Sequence, residues 1–421
     1  MSEVEHQFEA AVVSRTLVGI FVGLGVYLLL YGAGWLPALF ADDISLRAIC
    51  SKSIGFIDKK GLTVIEPQFD EACPFSGGLA AVQPHDTENR CYDNPSTYID
   101  KAGNLIATKQ KYSTTRSKTP LFKVQIDDKM SYQDKNGEIV LPPKWDNADD
   151  FMDGVALVTN WRTPTQESGY WKQHRYLIDE TGKTIFDFDN YIVDEKCSDG
   201  LITVSDERTR QAGVVDIKGK LTLLSFSGRC GRFSEGRATA SPNKGKNGIV
   251  DLSGNFVVLP TYDWLGHYSE GLVNFRMGSE KGYLDRNGKV VIKMPAEASG
   301  LGEFHEGLAE VTIGGTPGSS QDVVSRDDGK IGFIDKTGNF VIQPQFSVGH
   351  GLFEHGFHEG LAAVGVGSGR QQRFGYIDRT GTFVIQPKFL GAMRFSEGMA
   401  AVIFEHYISL ADMGKYAPRT K

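Results

Sequence analysis

A histidine-rich stretch near the C-terminus holds the side chains of this sequence that are best suited to bind a metal ion. His350, His355 and His358 fall within nine residues, interleaved with a glutamate. Imidazole and carboxylate groups at such spacing are ligands that zinc accepts. His358, however, occupies a position that recurs as His305 and Ser396 in related stretches. A solvated loop is therefore the favoured interpretation, and a metal site at the three histidines is the alternative.

Aromatic side chains in a polar insertion form the second group with chemical potential. Trp161, Tyr170 and Trp171 lie close in sequence, beside His174 and Arg175. Exposed aromatic rings stack on sugars and anchor protein partners. The sequence therefore predicts a binding surface at the three aromatic residues, with a loop packed on its own rings as the alternative.

An aspartate that follows a short apolar run and precedes a glycine by three residues occurs at nine places. Each place supplies one carboxylate, without the clustered acidic ligands that a calcium shell needs. An aspartate can instead cap backbone amides in a tight turn, and glycine supplies the left-handed residue of that turn. We therefore predict structural turns at all nine places. The clearest pairs are Asp58 with Gly61, Asp335 with Gly338, and Asp378 with Gly381.

Catalytic signatures are missing from the sequence. The glycine-rich run from Gly365 to Gly369 lacks the Gly-Lys-Ser/Thr ending of a phosphate-binding loop. No convincing nucleophile or metal signature stands out elsewhere. The sequence therefore predicts no catalytic residue, no cofactor and no enzymatic activity.

The composition favours a folded, β-rich protein. The chain has 421 residues, 40% of them hydrophobic, so it can bury a sizeable core. Its 52 acidic against 45 basic side chains give a formal charge of −7, which excludes a general attraction to nucleic acid. Its 49 glycines indicate many turns and hence many short strands. Five cysteines without a Cys-x-x-Cys pair are interpreted as thiols, with a disulfide between Cys73 and Cys91 as the alternative.

The elements that must position these residues are repeats. Residues 331–346 are nearly identical to residues 374–389, and related copies at intervals of 34 to 50 residues fill 53–404. Each full copy has an apolar strand ending in the aspartate, a second strand ending at a proline and an aromatic residue, and a small-residue strand after a Phe-x-x-Gly turn. We predict an all-β tandem array of about nine three-stranded antiparallel β-meander repeats. The array is either a propeller-like ring, whose first and last strands pair, or an open superhelical array.

The N-terminal region differs from the rest of the chain. Residues 16–40 contain no charged side chain and are long enough to span a bilayer. We predict one transmembrane helix at 16–40, preceded by a tail at 1–15 and followed by a linker at 41–52, with a cleaved signal peptide as the alternative. The flanking charges favour the repeats on the periplasmic or extracellular side. Residues 405–421 form a C-terminal tail.

The recurring elements resemble the WG-repeat family, also called KWG repeats, which is found widely in bacteria. The resemblance is carried by the apolar-Ile-Asp step, the following glycine, Val-Ile-x-Pro-x-aromatic and Phe-x-x-Gly-Leu-Ala-x-Val, in that order. None of the copies has tryptophan at the position that names the family, which holds Ile54, Ile331 or Phe374 in three of them. The resemblance implies a repeat architecture with a binding or scaffolding role and brings no catalytic residues.

Together these observations predict a membrane-anchored, non-catalytic bacterial repeat protein that presents a binding surface to a protein or a cell-envelope polymer. The alternative is a protein that binds or processes glycans through aromatic and acidic insertion loops. A hydrolase version of that alternative needs two carboxylates about 5 to 10 Å apart in a cleft.

Overall fold

The computed structural model describes residues 50–84, 97–106, 109–112, 120–162, 172–242, 245–317, 324–325, 329–348 and 356–407. Throughout these residues the regular structure is β-strand, apart from one 3₁₀ turn at Gly369–Gln371, so the all-β prediction is confirmed. The predicted transmembrane helix at 16–40 lies outside them, and no helix within them is long and apolar enough to cross a membrane. Residues 52–405 form one compact unit. Of a second unit, residues 1–51 with 406–421, the structure describes only 50–51 and 406–407.

The strands are short and follow one another closely along the chain. In chain order they are β1 (Cys50–Asp58), β2 (Thr63–Ala72), β3 (Leu79–Pro84), β4 (Tyr98–Asp100), β5 (Leu105–Ile106), β6 (Lys109–Tyr112), β7 (Phe122–Ile126), β8 (Lys129–Gln133), β9 (Glu138–Trp145), β10 (Asn147–Ala148), β11 (Val155–Arg162), β12 (Lys172–Asp179), β13 (Thr184–Asp187), β14 (Tyr191–Ser198), β15 (Leu201–Asp206), β16 (Gln211–Asp216), β17 (Leu221–Cys230), β18 (Arg237–Pro242), β19 (Asn247–Asp251), β20 (Phe256–Tyr262), β21 (Trp264–Leu265), β22 (Val273–Met277), β23 (Glu280–Leu284), β24 (Val290–Lys293), β25 (Ala298–His305), β26 (Leu308–Ile313), β27 (Thr316–Pro317), β28 (Val324–Ser325), β29 (Lys330–Ile334), β30 (Phe340–Ser347), β31 (Phe357–His358), β32 (Leu361–Val366), β33 (Arg373–Ile377), β34 (Phe383–Phe389), β35 (Gly391–Ala392) and β36 (Met399–Tyr407).

The common structural unit is a sheet of four antiparallel strands. In the sheet β10-β11-β12-β13, and again in β21-β22-β23-β24, a very short first strand is followed by three longer ones. The three longer strands are the predicted pieces of the repeat. The short first strand pairs with the second over two residues only, Asn147 opposite Thr159 and Ala148 opposite Val158. A strand of two residues leaves no periodic pattern, which is why three strands rather than four are expected from the sequence.

Each sheet combines parts of two sequence repeats. Strand β11 is the last piece of one repeat, and it pairs along its whole length with β12, the first piece of the next, from Val155 opposite Asp179 to Arg162 opposite Lys172. The pairs β22 with β23 and β32 with β33 follow the same rule. The boundary between sheets therefore falls after the proline and aromatic residue, in the middle of the sequence repeat.

The two ends of the repeat region meet in one sheet. Strands β35 and β36 from the C-terminal end lie beside β1 and β2 from the N-terminal end, in the usual four-strand order. Ile57 of β1 and Val402 of β36 belong to one hydrophobic cluster. The first and last strands thus pair, and this pairing removes the free edge that each would otherwise expose.

Buried aromatic rings connect each sheet to the next. Tyr283 of β23 packs edge-on against Phe304 of β25, with ring centroids 5.0 Å apart. Phe333 with Phe357, Tyr376 with Phe395, and Phe56 with Phe75 repeat this contact. The aromatic residue of the Phe-x-x-Gly turn therefore fills the space between two sheets.

Acidic side chains make a second connection between sheets, at the residue before the glycine of the same turn. Glu270 has a left-handed backbone, with φ of +53°, and its carboxylate accepts a hydrogen bond of 2.9 Å from the backbone N–H of Gly307 in the next sheet. Lys336 lies 3.0 Å from the same carboxylate. Left-handed geometry costs a non-glycine residue about 1 kcal/mol or more, and these contacts offset that cost. We call the five glutamates with this contact the latch glutamates: Glu235 to Gly271, Glu270 to Gly307, Glu306 to Gly360, Glu359 to Gly398, and Glu397 to Gly78.

One sheet departs from the common pattern. In the sheet β6-β9-β8-β7 the edge strand β6 runs parallel to β9, although the repeat predicts antiparallel strands throughout. This part of the chain follows the most degenerate repeat, which has no Phe-x-x-Gly turn before Phe122. Strand β6 also lies at the other edge of its sheet, because it pairs with β9 and not with β7, the strand that the usual first strand would pair with.

The described cysteines include two free thiols. Cys73 is free, and Cys230 is free and buried. Cys91, the partner of Cys73 in the alternative disulfide, lies outside the described residues.

Candidate functional site

One position of the repeat changes its chemical character while its neighbours stay constant. It directly precedes the aromatic residue of the Phe-x-x-Gly turn, and an aromatic residue follows it in all of the cases named here. The backbone before it is held as well, because the Tyr283 hydroxyl donates to the carbonyl of Gly302 at 2.9 Å and the Tyr376 hydroxyl to that of Met393 at 2.7 Å. We call this position the inner slot: Pro74, Asp150, Arg232, His267, Glu303, Gly356 and Arg394.

Inner-slot side chains from different sheets reach one another. Arg232 follows β17, and Glu303 lies on β25 two sheets further along the chain, yet a guanidinium nitrogen of Arg232 is 3.7 Å from Oε2 of Glu303. His267, from the sheet between them, places Nδ1 3.0 Å from Oε1 of Glu303. Side chains two sheets apart can touch only where the first strands of the sheets converge. The inner slots therefore face a shared interior.

The charge of the inner-slot residue Glu303 is neutralised by partners within the protein. Burial would raise the pKa of Glu303, but the hydrogen bond with His267 and the charges of His267, Arg232 and His305 outweigh it, and the pKa is lowered. Glu303 is therefore an ionised, paired carboxylate at neutral pH.

A cavity of about 650 Å³ lies where the sheets that contain β10, β14 and β17 converge. This volume is within the range of about 300 to 1,000 Å³ that is typical of small-ligand sites. Its apolar lining includes Met152, Leu157 and Val193. We call it the inner pocket, and its charged lining consists of Asp149, Asp194, Glu195, Arg175 and Arg232.

Asp194 on β14 is the most unusual group in the inner pocket. Its Oδ1 accepts a hydrogen bond from the Ser205 hydroxyl at 3.2 Å, whereas its Oδ2 is shielded from water and has no hydrogen-bond partner in the described part of the chain. Burial raises the pKa of Asp194, and the Ser205 hydrogen bond and the more distant Arg229 and Arg210 do not compensate. Burial and the charge of Asp194 together raise the pKa of the Cys230 thiol to about 12. A shielded carboxylate oxygen without a donor is costly to keep ionised.

The predicted metal alternative falls mainly outside the described residues. His350 and His355 are not among them. His358 forms part of β31, and its ring centroid lies 5.0 Å from that of His305. Within the described ranges no three His, Cys, Asp or Glu side chains are placed to share a metal ion.

The predicted aromatic surface is described at one residue. Trp161 lies near the end of β11, opposite Gln173, and 44% of it is exposed. Its backbone N–H donates to Oδ2 of Asp146 at 2.7 Å, which fixes the strand end. Tyr170 and Trp171 lie outside the described residues. Trp161 therefore presents its ring to solvent and does not line the inner pocket.

The predicted turn residues lie in hairpins. Oδ1 of Asp335 accepts hydrogen bonds from the backbone N–H groups of Thr337 at 2.9 Å and Asn339 at 3.1 Å. Gly338 has φ of +87°, and a Cβ on it would stand 2.8 Å from Cγ2 of Ile292 in the preceding sheet. Glycine is therefore required both by the turn and by the packing of the next sheet. Asp58 and Asp378 make the same two bonds, and Gly61 and Gly381 have φ of +78° and +85°.

The sequence alone does not single out the inner pocket. Asp149 follows the two-residue strand β10, and Asp194 and Glu195 lie on β14. Both are first strands of their sheets, and the repeat pattern of the sequence does not reveal them. A signal is nonetheless present, because the inner slot varies next to a constant aromatic residue. Arg232 could have been found by comparing the copies at that slot.

Tandem four-stranded sheets with joined ends define a β-repeat protein. Five segments, residues 54–83, 130–160, 248–279, 331–368 and 374–404, match the family model described as WG containing repeat. The chain belongs to the WG-repeat family, in agreement with the resemblance of its motifs. No curated protein sequence matches the chain.

Several solved structures are similar at low sequence identity. BamB from Moraxella catarrhalis is 11% identical, over 86% of this chain and 99% of that chain, with a TM-score of 0.35. Sqt1 from Saccharomyces cerevisiae is 10% identical, over 86% and 100%, with a TM-score of 0.37. The β-propeller domain of the Trilobed protease from Pyrococcus furiosus is 9% identical, over 58% and 86%, with a TM-score of 0.33. With TM-scores below 0.5, none of these similarities bears on function.

Proposed function

We propose that this WG-repeat protein is a non-catalytic binding protein whose inner pocket receives part of a protein or a cell-envelope polymer. The contrast at the inner slot carries the proposal. A position with a purely structural task keeps one kind of side chain, as the neighbouring aromatic residue does in the seven copies named above. The inner slot instead changes between acidic, basic, imidazole and small residues. Such variation is expected where each copy of the repeat contacts a different part of one ligand.

The proposal extends to the arrangement of the whole chain. Turns at nine Asp-x-x-Gly places and the pairing of β36 with β1 support a closed ring of nine units. The uncharged residues 16–40 support a single-pass anchor in a bacterial membrane, with the repeats on the periplasmic or extracellular side. An alkaline phosphatase fusion after Phe404 should be active, and a reporter that matures only in the cytoplasm should be silent. The reverse pattern would place the repeats inside the cell.

Photo-crosslinking from the pocket tests the binding function directly. Met152 lines the inner pocket and is 50% exposed, whereas Leu259 is 68% exposed and does not line it. A photoreactive phenylalanine at position 152 should crosslink to a partner in cells, and the same residue at position 259 should not. Equal crosslinking at both positions, or none at 152, would contradict the proposal.

A second candidate function is glycan binding, and the exposed ring of Trp161 favours it. Wild type, Trp161→Ala and Trp171→Ala would be applied to one glycan array. Binding that the substitutions abolish would favour the glycan candidate over the protein-binding one. No binding of any glycan by the wild type would contradict the glycan-binding candidate.

A further inference from the structure

The joint between the sheet β10-β11-β12-β13 and the sheet that begins with β14 lacks the latch contact. Its latch position is held by Asp153, whose backbone is left-handed, with φ of +51°, as in the latch glutamates. Within the described residues the Asp153 carboxylate has no hydrogen-bond or ion-pair partner, so it does not hold the N–H of Gly200 in the next sheet. One joint further on, Asp199 does hold the N–H of Gly236, at 3.0 Å. An aspartate is therefore long enough for the contact, yet Asp153 does not make it. We call this joint the loose joint.

A second contact between neighbouring turns is also missing at the loose joint. At three other joints the residue after the turn aromatic is a serine, and its hydroxyl donates to the backbone carbonyl of the aromatic residue in the next turn. The three contacts are Ser234 to Tyr268 at 2.6 Å, Ser269 to Phe304 at 2.5 Å, and Ser396 to Phe75 at 2.7 Å. The same position holds Met152 at the loose joint, and this side chain has no hydroxyl and is 50% exposed. Neither polar connection therefore fastens the two turns.

Smaller side chains also stand where an aromatic pair fills the space between other sheets. At the loose joint the two positions are taken by Leu177 and Cys197. The inner pocket lies at this joint, and its lining includes Met152 from one turn and Ser198 from the next. The pocket thus lies where the latch, serine and aromatic contacts of the turns are all lost.

Two further joints without a latch are closed by packing. Gly77 holds the latch position at one of them, and a Cβ on it would stand 3.2 Å from the side chains of Pro120 and Phe122. At the other joint Tyr132 packs on Phe151, with ring centroids 4.7 Å apart. The loose joint differs from both, because its turns are joined neither by a latch nor by the aromatic pair.

Away from the turns, the two sheets of the loose joint are packed together. Phe186 of β13 lies beside Tyr191 of β14, with ring centroids 6.1 Å apart. Leu177 and Ile202 belong to one hydrophobic cluster that spans both sheets. A joint with a packed core and unfastened turns opens most readily at its turns, with the core as the hinge.

We propose that the two sheets of the loose joint separate at their turns, and that the gap between Met152 and Ser198 is the entrance through which a segment of the ligand reaches the inner pocket. This inference rests on the proposed binding function of the same pocket. The latched joints stay closed while the entrance widens. Opening at one joint therefore admits an extended segment without breaking the pairing of β1 with β36.

Distances between spin labels test the opening on the full-length protein in detergent. One pair of labels, at Thr181 and Lys218, spans the loose joint, and the control pair, at Asn287 and Thr337, spans a latched joint. All four residues are exposed in the hairpin turns that follow the repeat aspartates. Labels attached to ketone-bearing unnatural amino acids at these positions leave the native thiols untouched. We expect the distance distribution across the loose joint to be at least about twice as wide as the control distribution. Equal widths would overturn the inference.

Two alanine substitutions show whether the latch sets the width. Glu270→Ala removes the latch of the control joint and should broaden the control distribution. Asp153→Ala should leave the distribution across the loose joint unchanged, because this carboxylate has no partner in the described part of the next sheet. A control distribution that stays narrow, or a loose-joint distribution that broadens, would contradict the role given to the latches.

Photo-crosslinking separates the entrance from the binding function. A photoreactive phenylalanine at position 198 should capture the same partner as one at position 152, and one at position 287 should capture none. A crosslink from 152 without one from 198 would overturn the entrance and leave the binding function standing. Failure at both positions would contradict the binding function itself, and the spin-label widths would still decide whether the joint opens.

Discussion

The latch glutamates and Asp194 are acidic residues in opposite situations. Burial would raise the pKa of Glu270, but its hydrogen bonds from Lys336 and from the Gly307 N–H outweigh burial, and the pKa is lowered. At Asp194 burial prevails, and the pKa is raised. The latch contacts connect one sheet to the next, whereas the Asp194 carboxylate lines a pocket and keeps one oxygen without a donor.

This difference separates carboxylates that stabilise the fold from one that does not. A carboxylate with a lowered pKa contributes stability above its ordinary pKa and loses it as the pH falls through the folded value. A carboxyl group with a raised pKa does the reverse, since its stabilising contribution is present at low pH and is lost as the pH rises through the folded value. At neutral pH the latch carboxylates of Glu270 and Glu359 therefore stabilise the fold, and Asp194 weakens it. A residue that weakens the fold is a candidate for function.

The largest effect should come from two neighbouring residues of β25. Phe304 is 1% exposed and packs on Tyr283, so Phe304→Ala should destabilise the fold by about 3 to 5 kcal/mol. Glu303→Gln, one residue earlier at the inner slot, should cost about 1 kcal/mol or less because it keeps the packing. Urea unfolding midpoints of the two variants measure the difference. Similar midpoints would mean that the inner slot is as structural as the aromatic residue beside it.

The latch contact should rank second. Glu270→Ala removes the bonds to Gly307 and Lys336 while leaving a left-handed backbone, and we expect a loss of about 1 to 2 kcal/mol. Glu270→Gly loses the same bonds but relieves the backbone, so it should be about 1 kcal/mol less destabilising. Glu280→Ala is the control, since Glu280 forms only an exposed ion pair with Lys293 at 3.8 Å. A Glu280 variant as unstable as Glu270→Ala would show that the latches are ordinary surface pairs.

Asp194→Asn should stabilise the protein at neutral pH. The substitution keeps the shape and removes a carboxylate that is partly buried without a donor for Oδ2. We expect the melting temperature to rise by roughly 1 to 3 °C at pH 7.5 and the gain to shrink as the pH is lowered. Differential scanning calorimetry at several pH values gives the answer. A lower melting temperature would show that the Asp194 carboxylate stabilises the fold, as the latch glutamates do.

The smallest effect concerns the charge of a latch alone. Glu359→Gln keeps an acceptor for Gly398 but loses the ion pair with Lys59, and the pKa of Glu359 is lowered because these two contacts outweigh burial. We expect a loss of about 0.5 to 1 kcal/mol at pH 7. The difference from wild type should shrink as the pH falls below 4.5, the ordinary value for glutamate. It should vanish below the lowered pKa of Glu359 in the folded protein, because wild type then carries a neutral group there as well. A difference that stays constant down to pH 3 would show that the charge has no part in the latch.

Much of the fold follows from the sequence, because the features concerned are local. Asp335 and Gly338 are three residues apart, and their turn needs nothing from elsewhere in the chain. The short first strands could not be predicted in this way, since Asn147 and Ala148 form a strand only because Val158 and Thr159 lie beside them. For the same reason, the sequence does not reveal that each sheet combines parts of two sequence repeats.

The candidate site is the least predictable part. Asp149, Asp194 and Arg232 come from three sheets, and only the curvature of the array brings them to one cavity. Nothing in their sequence spacing encodes that curvature. Trp161, by contrast, is suggested by its polar surroundings in the sequence, and the structure places it outside the pocket. Its role in binding stays a prediction.

The pairing of β1 with β36 has a consequence for the time course of synthesis. Roughly 340 residues separate the two strands, so at about 5 to 20 residues per second the first strand is made some 20 to 70 s before its neighbour. During that interval the edge of β1 that later pairs with β36 is open to other strands. Strand β36 thus covers the free edge of β1. A nascent chain truncated before β36 should be more prone to aggregation and proteolysis than its length alone would suggest.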